Sequence, residues 1–189
     1  YSRELLLQTA HIAEELGYEI LHGIIDSLWL KGNQKTAGDH KLLRQKIYAE
    51  TGMPLEIEGI YKWVVFLPRK MSTSGALNRY YGLFRDGSMK IRGLELRRSD
   101  TPPLIKNAQM DMLKIMARAD TVAELYGQIP EVIEVLKSYV DRVMNGRCEL
   151  QDLVFTSVVS KELEFYSQLT NNVACLLQLR KKGVKVRPG

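Results

Sequence analysis

Residues 80–103, YYGLFRDGSMKIRGLELRRSDTPP, contain the clearest hairpin pattern of the chain and also the point where strands give way to helices. The apolar-rich segments 80–84 and 89–94 flank Arg85-Asp86-Gly87-Ser88, which is typical of a turn between two antiparallel strands. Thr101-Pro102-Pro103 then favours the start of a helix, because threonine can cap a helix and proline fits its first turn. The stretch therefore predicts an α+β protein, with most strands before residue 101 and mainly helices after it.

The segments before this hairpin alternate between helix and strand patterns. Apolar residues from Leu5 to Leu16 recur at helical spacing, and Gly17 follows where a helix would end. Residues 18–30 are almost wholly apolar and predict two short buried strands joined by a tight turn. The remaining elements expected before residue 101 are a helix capped by Asp39 and running to Glu50, and strands over 55–60 and 61–67.

Helical periodicity dominates after residue 101. Thr121 and Glu124 have the spacing of a capping box at a helix N-terminus. A further helix is expected to begin at Pro130, and a last one covers residues 172–182 and ends at Gly183. The side chains of the Pro130 helix that we expect to face inward are Val132, Leu136, Val140 and Val143.

Basic residues are concentrated in two parts of a chain whose net charge is only +5. Between these two groups, residues 102–164 are net acidic. This distribution is expected of a protein that follows a phosphate backbone, and solvated surface faces would produce the same pattern. The first group is Lys62, Arg69, Lys70, Arg79, Arg85, Lys90, Arg92, Arg97 and Arg98, and the second is Arg180, Lys181, Lys182, Lys185 and Arg187.

Composition narrows the class of protein without identifying it. A hydrophobic content of 45% and a charged content of 26% are ordinary for a globular protein. No apolar run reaches the roughly 20 residues of a membrane span, and the first residues lack a secretory pattern, so we expect a cytoplasmic protein. Cys148 and Cys175 are too few and too distant for a disulfide framework or a zinc site, so reduced thiols are expected.

Asp26 is a charged residue within an otherwise apolar stretch. It is the only charged residue between Glu19 and Lys31, in a stretch otherwise suited to burial. Burying an unpaired carboxylate is costly, and a magnesium ion (Mg²⁺) would compensate, since Mg²⁺ binds one or two carboxylates together with substrate phosphates. Alternatively, Asp26 and Ser27 form a polar hairpin tip, because both residue types are common in turns.

Four segments in order along the chain resemble motifs of family-B DNA polymerases, and of their archaeal members in particular. Residues 22–28, HGIIDSL, resemble motif C, which usually reads Tyr-Gly-Asp-Thr-Asp-Ser on a hairpin of the palm subdomain. Residues 78–83, NRYYGL, resemble a Lys-Lys-Arg-Tyr-x-Gly segment. Residues 90–100, KIRGLELRRSD, resemble the Lys-x-(Lys/Arg)-Gly-x-Glu-x-x-Arg-Arg-x-Asp stretch before the thumb, and residues 183–189, GVKVRPG, a Gly-Val-Lys-Ile-Arg-Pro-Gly run.

The resemblance implies a palm part with an antiparallel sheet and helices over residues 1–100, and a mostly helical thumb over residues 101–189. Asp26 matches the second motif C aspartate, which binds metal directly, so Asp26 is the expected catalytic and metal-binding residue. Nucleotidyl transfer uses two Mg²⁺ ions about 4 Å apart, which requires carboxylates from separate palm strands. The chain would therefore hold only part of the metal site.

The other matched residues imply contact with DNA rather than chemistry. Basic and aromatic side chains would grip sugar and phosphate groups near the primer end, which positions a duplex without reading its sequence. For each basic residue the alternative is a solvated surface charge, and for the tyrosine a half-buried strand position. The expected DNA contacts are Arg79, Tyr80, Lys90, Arg92, Arg97, Arg98, Lys181, Lys182, Lys185 and Arg187.

The same family has parts that this sequence does not contain: the motif A aspartate, the nucleotide-binding fingers and an exonuclease domain. We expect a large partner chain to carry them, with primer–template DNA and dNTP in the assembled complex, and we expect no polymerisation without it. The chain would be a fragment or the small chain of a two-piece polymerase, with an apolar edge near residues 18–30 that a partner covers. Ile24 and Asn78, which replace an aspartate and a lysine of the motifs, leave a non-catalytic DNA-binding subunit or an inactivated relative as the alternative.

Overall fold

The computed structural model describes residues 2–24, 26–69, 72–157 and 159–185. Helices and antiparallel strands are both present, which confirms the expected α+β class. The helices are α1 (Ser2–Glu15), α2 (Ala37–Thr51), α3 (Pro103–Met116), α4 (Val122–Gly127), α5 (Ile129–Met144) and α6 (Asn171–Lys181). The strands are β1 (Glu19–Ile24), β2 (Ser27–Lys31), β3 (Tyr61–Arg69), β4 (Ser72–Phe84) and β5 (Met89–Arg92).

Strands β1 and β2 form an antiparallel hairpin in the first of two compact units, which takes residues 1–61 and 66–77. The hairpin packs on α1, and α1 packs on α2, so the inward faces of the two helices meet beside the hairpin. This packing fixes the hairpin and with it the turn that contains Asp26. The core consists of Ile12, Ala13, Tyr18, Leu43 and Ile47, with Leu16, Ile20, Leu30 and Leu55 packed around it.

Two expectations for this unit are wrong in detail. Residues 55–60 are not a strand; Leu55 packs on the core while residues 56–60 are exposed, so their apolar–polar alternation reflects no pleated sheet. Helix α2 is capped by Thr36, whose Oγ1 accepts from the Asp39 N–H at 3.3 Å, while the Asp39 carboxylate accepts from the Thr36 N–H at 2.7 Å. Asp39 is therefore the third residue of a capping box rather than the cap.

Strands β4 and β5 form the hairpin that the turn residues predict, and it belongs to the second unit, made of residues 62–65 and 78–189. Leu83 lies opposite Met89, and the Oδ1 of Asp86 accepts from the Ser88 N–H at 2.8 Å within the turn. Strand β3 lies on the other side of β4. The expected division of the chain at residue 100 into palm and thumb parts stays a prediction.

The core of the second unit joins its strands to the segment between α3 and α4. The indole N–H of Trp63 donates to the carbonyl of Ala119 at 2.8 Å, and these two residues are 3% and 0% exposed. Leu83 and Leu125 complete this cluster. This buried hydrogen bond links strand β3 to the helical part of the unit.

The caps of α3 and α4 differ in how well they follow the sequence pattern. Helix α3 begins at Pro103 after Pro102, and Thr101 is buried rather than capping, so its expected role as N-cap is wrong. In α4, the Oγ1 of Thr121 accepts from the Glu124 N–H at 3.2 Å, which confirms the capping interaction.

Helix α5 has the expected apolar stripe, but none of its residues is buried. Leu136, Val140 and Val143 are 47%, 52% and 45% exposed, so the expectation that they face the interior is wrong. Helical periodicity shows that these side chains share a face, and it carries no information about whether another element covers that face. None of the described helices is long and apolar enough to cross a membrane.

Candidate functional site

Asp26 lies in the turn of the β1–β2 hairpin, next to Ser27 and exposed to solvent. Its Oδ1 accepts a hydrogen bond from the Ser27 hydroxyl at 3.2 Å. The carboxylate is exposed because the apolar strands end before the turn. The geometry is that of a polar hairpin tip, and it leaves the carboxylate accessible to an ion approaching from solvent.

The fit of Asp26 to magnesium is partial. Mg²⁺ takes oxygen ligands in octahedral geometry and commonly binds one or two protein carboxylates, and the exposed Asp26 can be one of them. Among the described residues, no group of three or more His, Cys, Asp and Glu side chains is placed to hold a metal ion. The catalytic and metal-binding roles of Asp26 stay predictions.

His22, on the strand before this turn, is a packed side chain. Its ring centroid lies 5.0 Å from that of Trp29 and 4.7 Å from that of Phe66, with tilted ring planes. Such aromatic contacts favour a fixed ring orientation. The three rings thus hold the β1–β2 hairpin against the end of β3 within the same unit.

The first basic group is carried by the β4–β5 hairpin and by the 3₁₀ turn Glu95–Arg97 that follows it. The hairpin register places Arg92 opposite Tyr80 and Lys90 opposite Gly82. Arg92, Arg97 and Arg98 are exposed, and Arg79 and Lys90 are half-buried. Five of the expected DNA contacts are therefore close together along one short segment of structure.

Tyr80 differs from these neighbours because its side chain is only 3% exposed. A ring buried to this extent is part of the interior of its unit. Tyr80 follows Arg79 on β4 with its ring buried, and the expected direct contact with DNA is corrected to a supporting position.

Arg98 forms a two-pronged ion pair with Asp100. Its Nε and Nη2 donate to Oδ1 and Oδ2 at 2.9 and 2.7 Å, a geometry that orients the guanidinium plane. The pair raises the pKa of Arg98 and lowers the pKa of Asp100. Because both side chains are exposed, the pair adds little stability, and its main effect is to fix the direction of Arg98.

Gln109 on α3 is a site residue that the sequence did not reveal. Its Oε1 accepts from the Leu96 N–H at 2.7 Å, and its Nε2 donates to the Oε2 of Glu95 at 3.1 Å. This second hydrogen bond is the main cause of the lowered pKa of Glu95, and the charges of Arg79 and Arg98 lower it further. No local pattern could have found it, because its partners are 13 and 14 residues away along the chain.

The second basic group lies at the C-terminal end of α6. Lys181 is the last residue of the helix, and Lys182 and Lys185 follow it, all three exposed. Lysines at a helix C-terminus also interact favourably with the helix dipole, so their position has a structural explanation as well. Arg180 is engaged by Glu164, and Arg187 lies outside the described residues.

Comparison with known proteins points to one family. The family model described as DNA polymerase family B matches residues 3–187. A "DNA polymerase" of Archaeoglobus fulgidus is 25% identical over 185 residues, which are 97% of this chain and 22% of the relative. "DNA polymerase 1" of Sulfolobus acidocaldarius is 30% identical over 193 residues, which cover 98% of this chain and 20% of the relative. The chain thus spans about a fifth of the length of these curated relatives.

Proposed function

Because this chain belongs to DNA polymerase family B, we propose that it is the C-terminal palm and thumb part, or the small subunit, of a DNA-directed DNA polymerase. It supplies one metal-binding aspartate and the grip on the primer–template duplex. It is inactive without the chain that carries the rest of the palm and the fingers. The observation that carries the proposal is the exposed Asp26 carboxylate at the tip of an antiparallel hairpin, inside a family match that extends over residues 3–187.

In this proposal Asp26 is one carboxylate ligand of a magnesium site, and partner strands supply the others. When bound, the metal activates the primer hydroxyl and stabilises the leaving pyrophosphate. The role of this chain is to hold one carboxylate in a fixed position. The packing of α1 on the hairpin and the ring contacts of His22 with Trp29 and Phe66 support that role, because they restrain the strands on both sides of the turn.

The duplex grip uses the exposed and half-buried basic side chains of the two groups. Their charges bind phosphates at any sequence, so they position the duplex near the primer end. Tyr80 acts from the interior by supporting the strand that carries Arg79. The residues that we assign to phosphate contact are Arg79, Lys90, Arg92, Arg97, Arg98, Lys181, Lys182, Lys185 and Arg187.

A large partner chain carries motif A, the fingers and the exonuclease domain in this proposal, and dNTP binds in the assembled complex. The relatives are about five times as long as the stretch that this chain matches, so they have room for those parts. The β1–β2 sheet is two-stranded, and Leu21 on β1 is 46% exposed, which supports an apolar edge that the partner covers. Residues 1–100 form the palm part and residues 101–189 the thumb.

One observation favours a second function, that of a non-catalytic DNA-binding subunit. Ile24, paired with Ser27 across the hairpin, stands where motif C has its first aspartate. A site that has lost one of its carboxylates binds metal less well. A subunit that only grips DNA would keep the basic groups and would not need Asp26.

Reconstitution distinguishes the two functions. The purified chain is mixed with the polymerase chain from the same source that carries motif A and the fingers, and Mg²⁺-dependent primer extension is measured for each chain alone and for the mixture. We expect extension only in the mixture. Equal extension without this chain contradicts the catalytic role and supports the second function, whereas extension by this chain alone contradicts its dependence on a partner.

A further inference from the structure

Gln109 makes both of its hydrogen bonds to the 3₁₀ turn Glu95–Arg97. Its amide oxygen accepts a hydrogen bond from the backbone N–H of Leu96, and its amide nitrogen donates one to the carboxylate of Glu95. Gln109 is half-buried on α3, thirteen residues or more from either partner along the chain. One side chain of a helix thus fixes both the backbone and the acidic side chain of this turn.

The turn and the residue after it carry two exposed arginines of the first basic group. Arg97 is its last residue, and Arg98 follows it, with its N–H bonded to the carbonyl of Glu95 at 3.0 Å. Side chains on an anchored backbone lose less conformational freedom when they bind than side chains on a mobile one. The position of the backbone from which Arg97 and Arg98 extend therefore depends on the anchor from α3, while Asp100 orients the Arg98 guanidinium.

Glu95 is a potential competitor for these arginines. The charges of Arg79 and Arg98 both lower its pKa, so it lies within their electrostatic reach. Yet Glu95 forms no ion pair with another described residue, and its carboxylate accepts instead from the uncharged amide of Gln109. Gln109 thereby engages one oxygen of a carboxylate that lies within electrostatic reach of Arg79 and Arg98.

We propose that Gln109 is a positioning residue for DNA binding: it anchors the turn and holds Glu95 aside, so that Arg97 and Arg98 meet the phosphate backbone of the duplex. The inference rests on the proposed function, because it assumes that the basic group contacts DNA. It goes beyond that function in assigning the geometry of the contact to an uncharged residue of α3.

The test measures affinity for a primer–template duplex by fluorescence anisotropy at several NaCl concentrations. Gln109→Met keeps the length of the side chain and removes both hydrogen bonds. Gln109→Glu places two carboxylates together, while the swap Gln109→Glu with Glu95→Gln reverses the roles of amide and carboxylate and retains both bonds. Asn107→Met, at an exposed position of the same helix, is the matched control.

We expect Gln109→Met to weaken duplex binding by about fivefold or more, since it removes two hydrogen bonds that organise the turn. The slope of log affinity against log salt concentration should fall by about 0.9 for each phosphate that is no longer neutralised. Gln109→Glu should weaken binding similarly, and the swap should restore both affinity and slope. The control should behave as the unchanged chain does.

The outcomes separate this inference from the proposed function. If the unchanged chain shows no salt-dependent duplex binding, the duplex grip itself is wrong, and the inference fails with it. If the unchanged chain binds and Gln109→Met leaves the salt slope unchanged while only lowering thermal stability, Gln109 is structural and the inference alone is overturned. If Gln109→Met does not fold, the double variant decides instead. The inference is also overturned if Gln109→Glu lowers the salt slope and the added Glu95→Gln does not restore it.

Discussion

The carbonyl oxygen of Asn78 occupies the place where a side chain on Gly93 would begin. Gly93 has a φ of +66°, and a Cβ built on it would lie 2.1 Å from that oxygen. The obstructing atom belongs to the backbone, so a rotation of side chains cannot relieve the contact. The residue after β5 therefore lies directly against the backbone of β4 at Asn78. This contact is next to the turn that carries Arg97.

The first prediction concerns this glycine. Gly93→Ala should lower the free energy of unfolding by about 3 kcal/mol or more, because left-handed backbone strain adds to a forced separation of two chain segments. Gly87→Ala is the matched control, since Gly87 also has a positive φ of +87° but no atom within 4 Å of its Cβ position. It should be destabilised by about 1 kcal/mol. Urea denaturation measures the free energy of unfolding of the two variants, and an equal decrease for both would contradict the steric explanation.

The second prediction concerns the buried indole bond of the second unit. Trp63→Phe should lower the free energy of unfolding by about 2–4 kcal/mol, because it leaves the carbonyl of Ala119 buried without its donor and opens a small cavity. Tyr126→Phe, at a position that is 68% exposed, is the aromatic control and should change little. If Trp63→Phe lowers the free energy of unfolding no more than the control does, the hydrogen bond between Trp63 and Ala119 contributes nothing to stability.

Sequence patterns succeeded where the chemistry is local. The hairpin at residues 80–94 could be predicted because Asp86, Gly87 and Ser88 build the turn from their own side chains and backbone. The capping interaction of Thr121 and Glu124 is equally short in range. The strand predicted over residues 55–60 is absent, because an alternating pattern does not show whether another strand is present to pair with it.

The third prediction concerns acid stability. The pKa of Asp39 is lowered, first by the backbone N–H of Thr36 and then by its hydroxyl. The folded state therefore binds this proton less tightly than the unfolded state does, so the stabilisation is present above the unfolded pKa of about 3.9 and is lost as the pH falls through the folded pKa. Asp39→Asn should be less stable than the unchanged chain at neutral pH, and that difference should shrink in acid.

Thermal unfolding at neutral pH and at about pH 3 measures this difference. Glu14→Gln, which changes an exposed carboxylate on α1, serves as the control and should show no comparable pH dependence. A difference between Asp39→Asn and the unchanged chain that stays constant with pH would rule out the carboxylate as its source.

The fourth prediction concerns the basic group at the end of α6. Replacing Lys181 and Lys182 by alanine should reduce the salt slope of duplex binding by about 0.9 for each phosphate that these lysines neutralise, and it should weaken binding equally for different sequences. Lys114→Ala with Lys137→Ala removes the same charge from lysines that pair with acidic neighbours on α3 and α5. An equal reduction in that control would show a general charge effect instead of direct contact.

Interactions between distant segments account for most of what the sequence could not reveal. Gln109 and Glu95 are fourteen residues apart, and their bond exists only because the turn packs on α3. The apolar neighbours of Asp26 left open whether its carboxylate is buried or lies at a polar hairpin tip, and the folded hairpin shows that it is exposed. Leu136 and Val140 share the stripe that periodicity predicts, yet no described element buries them.

The rate of Mg²⁺-dependent primer extension by the reconstituted assembly carrying Asp26→Asn tests the central claim most directly. Asparagine keeps the shape of the hairpin tip and removes the charge that a metal needs. We expect the rate to fall by at least about a hundredfold with duplex affinity unchanged, since metal-ion stabilisation of a transition state is worth several kcal/mol. Glu14→Gln in the same assembly should extend at the full rate. If Asp26→Asn also extends at the full rate, Asp26 is not a catalytic residue.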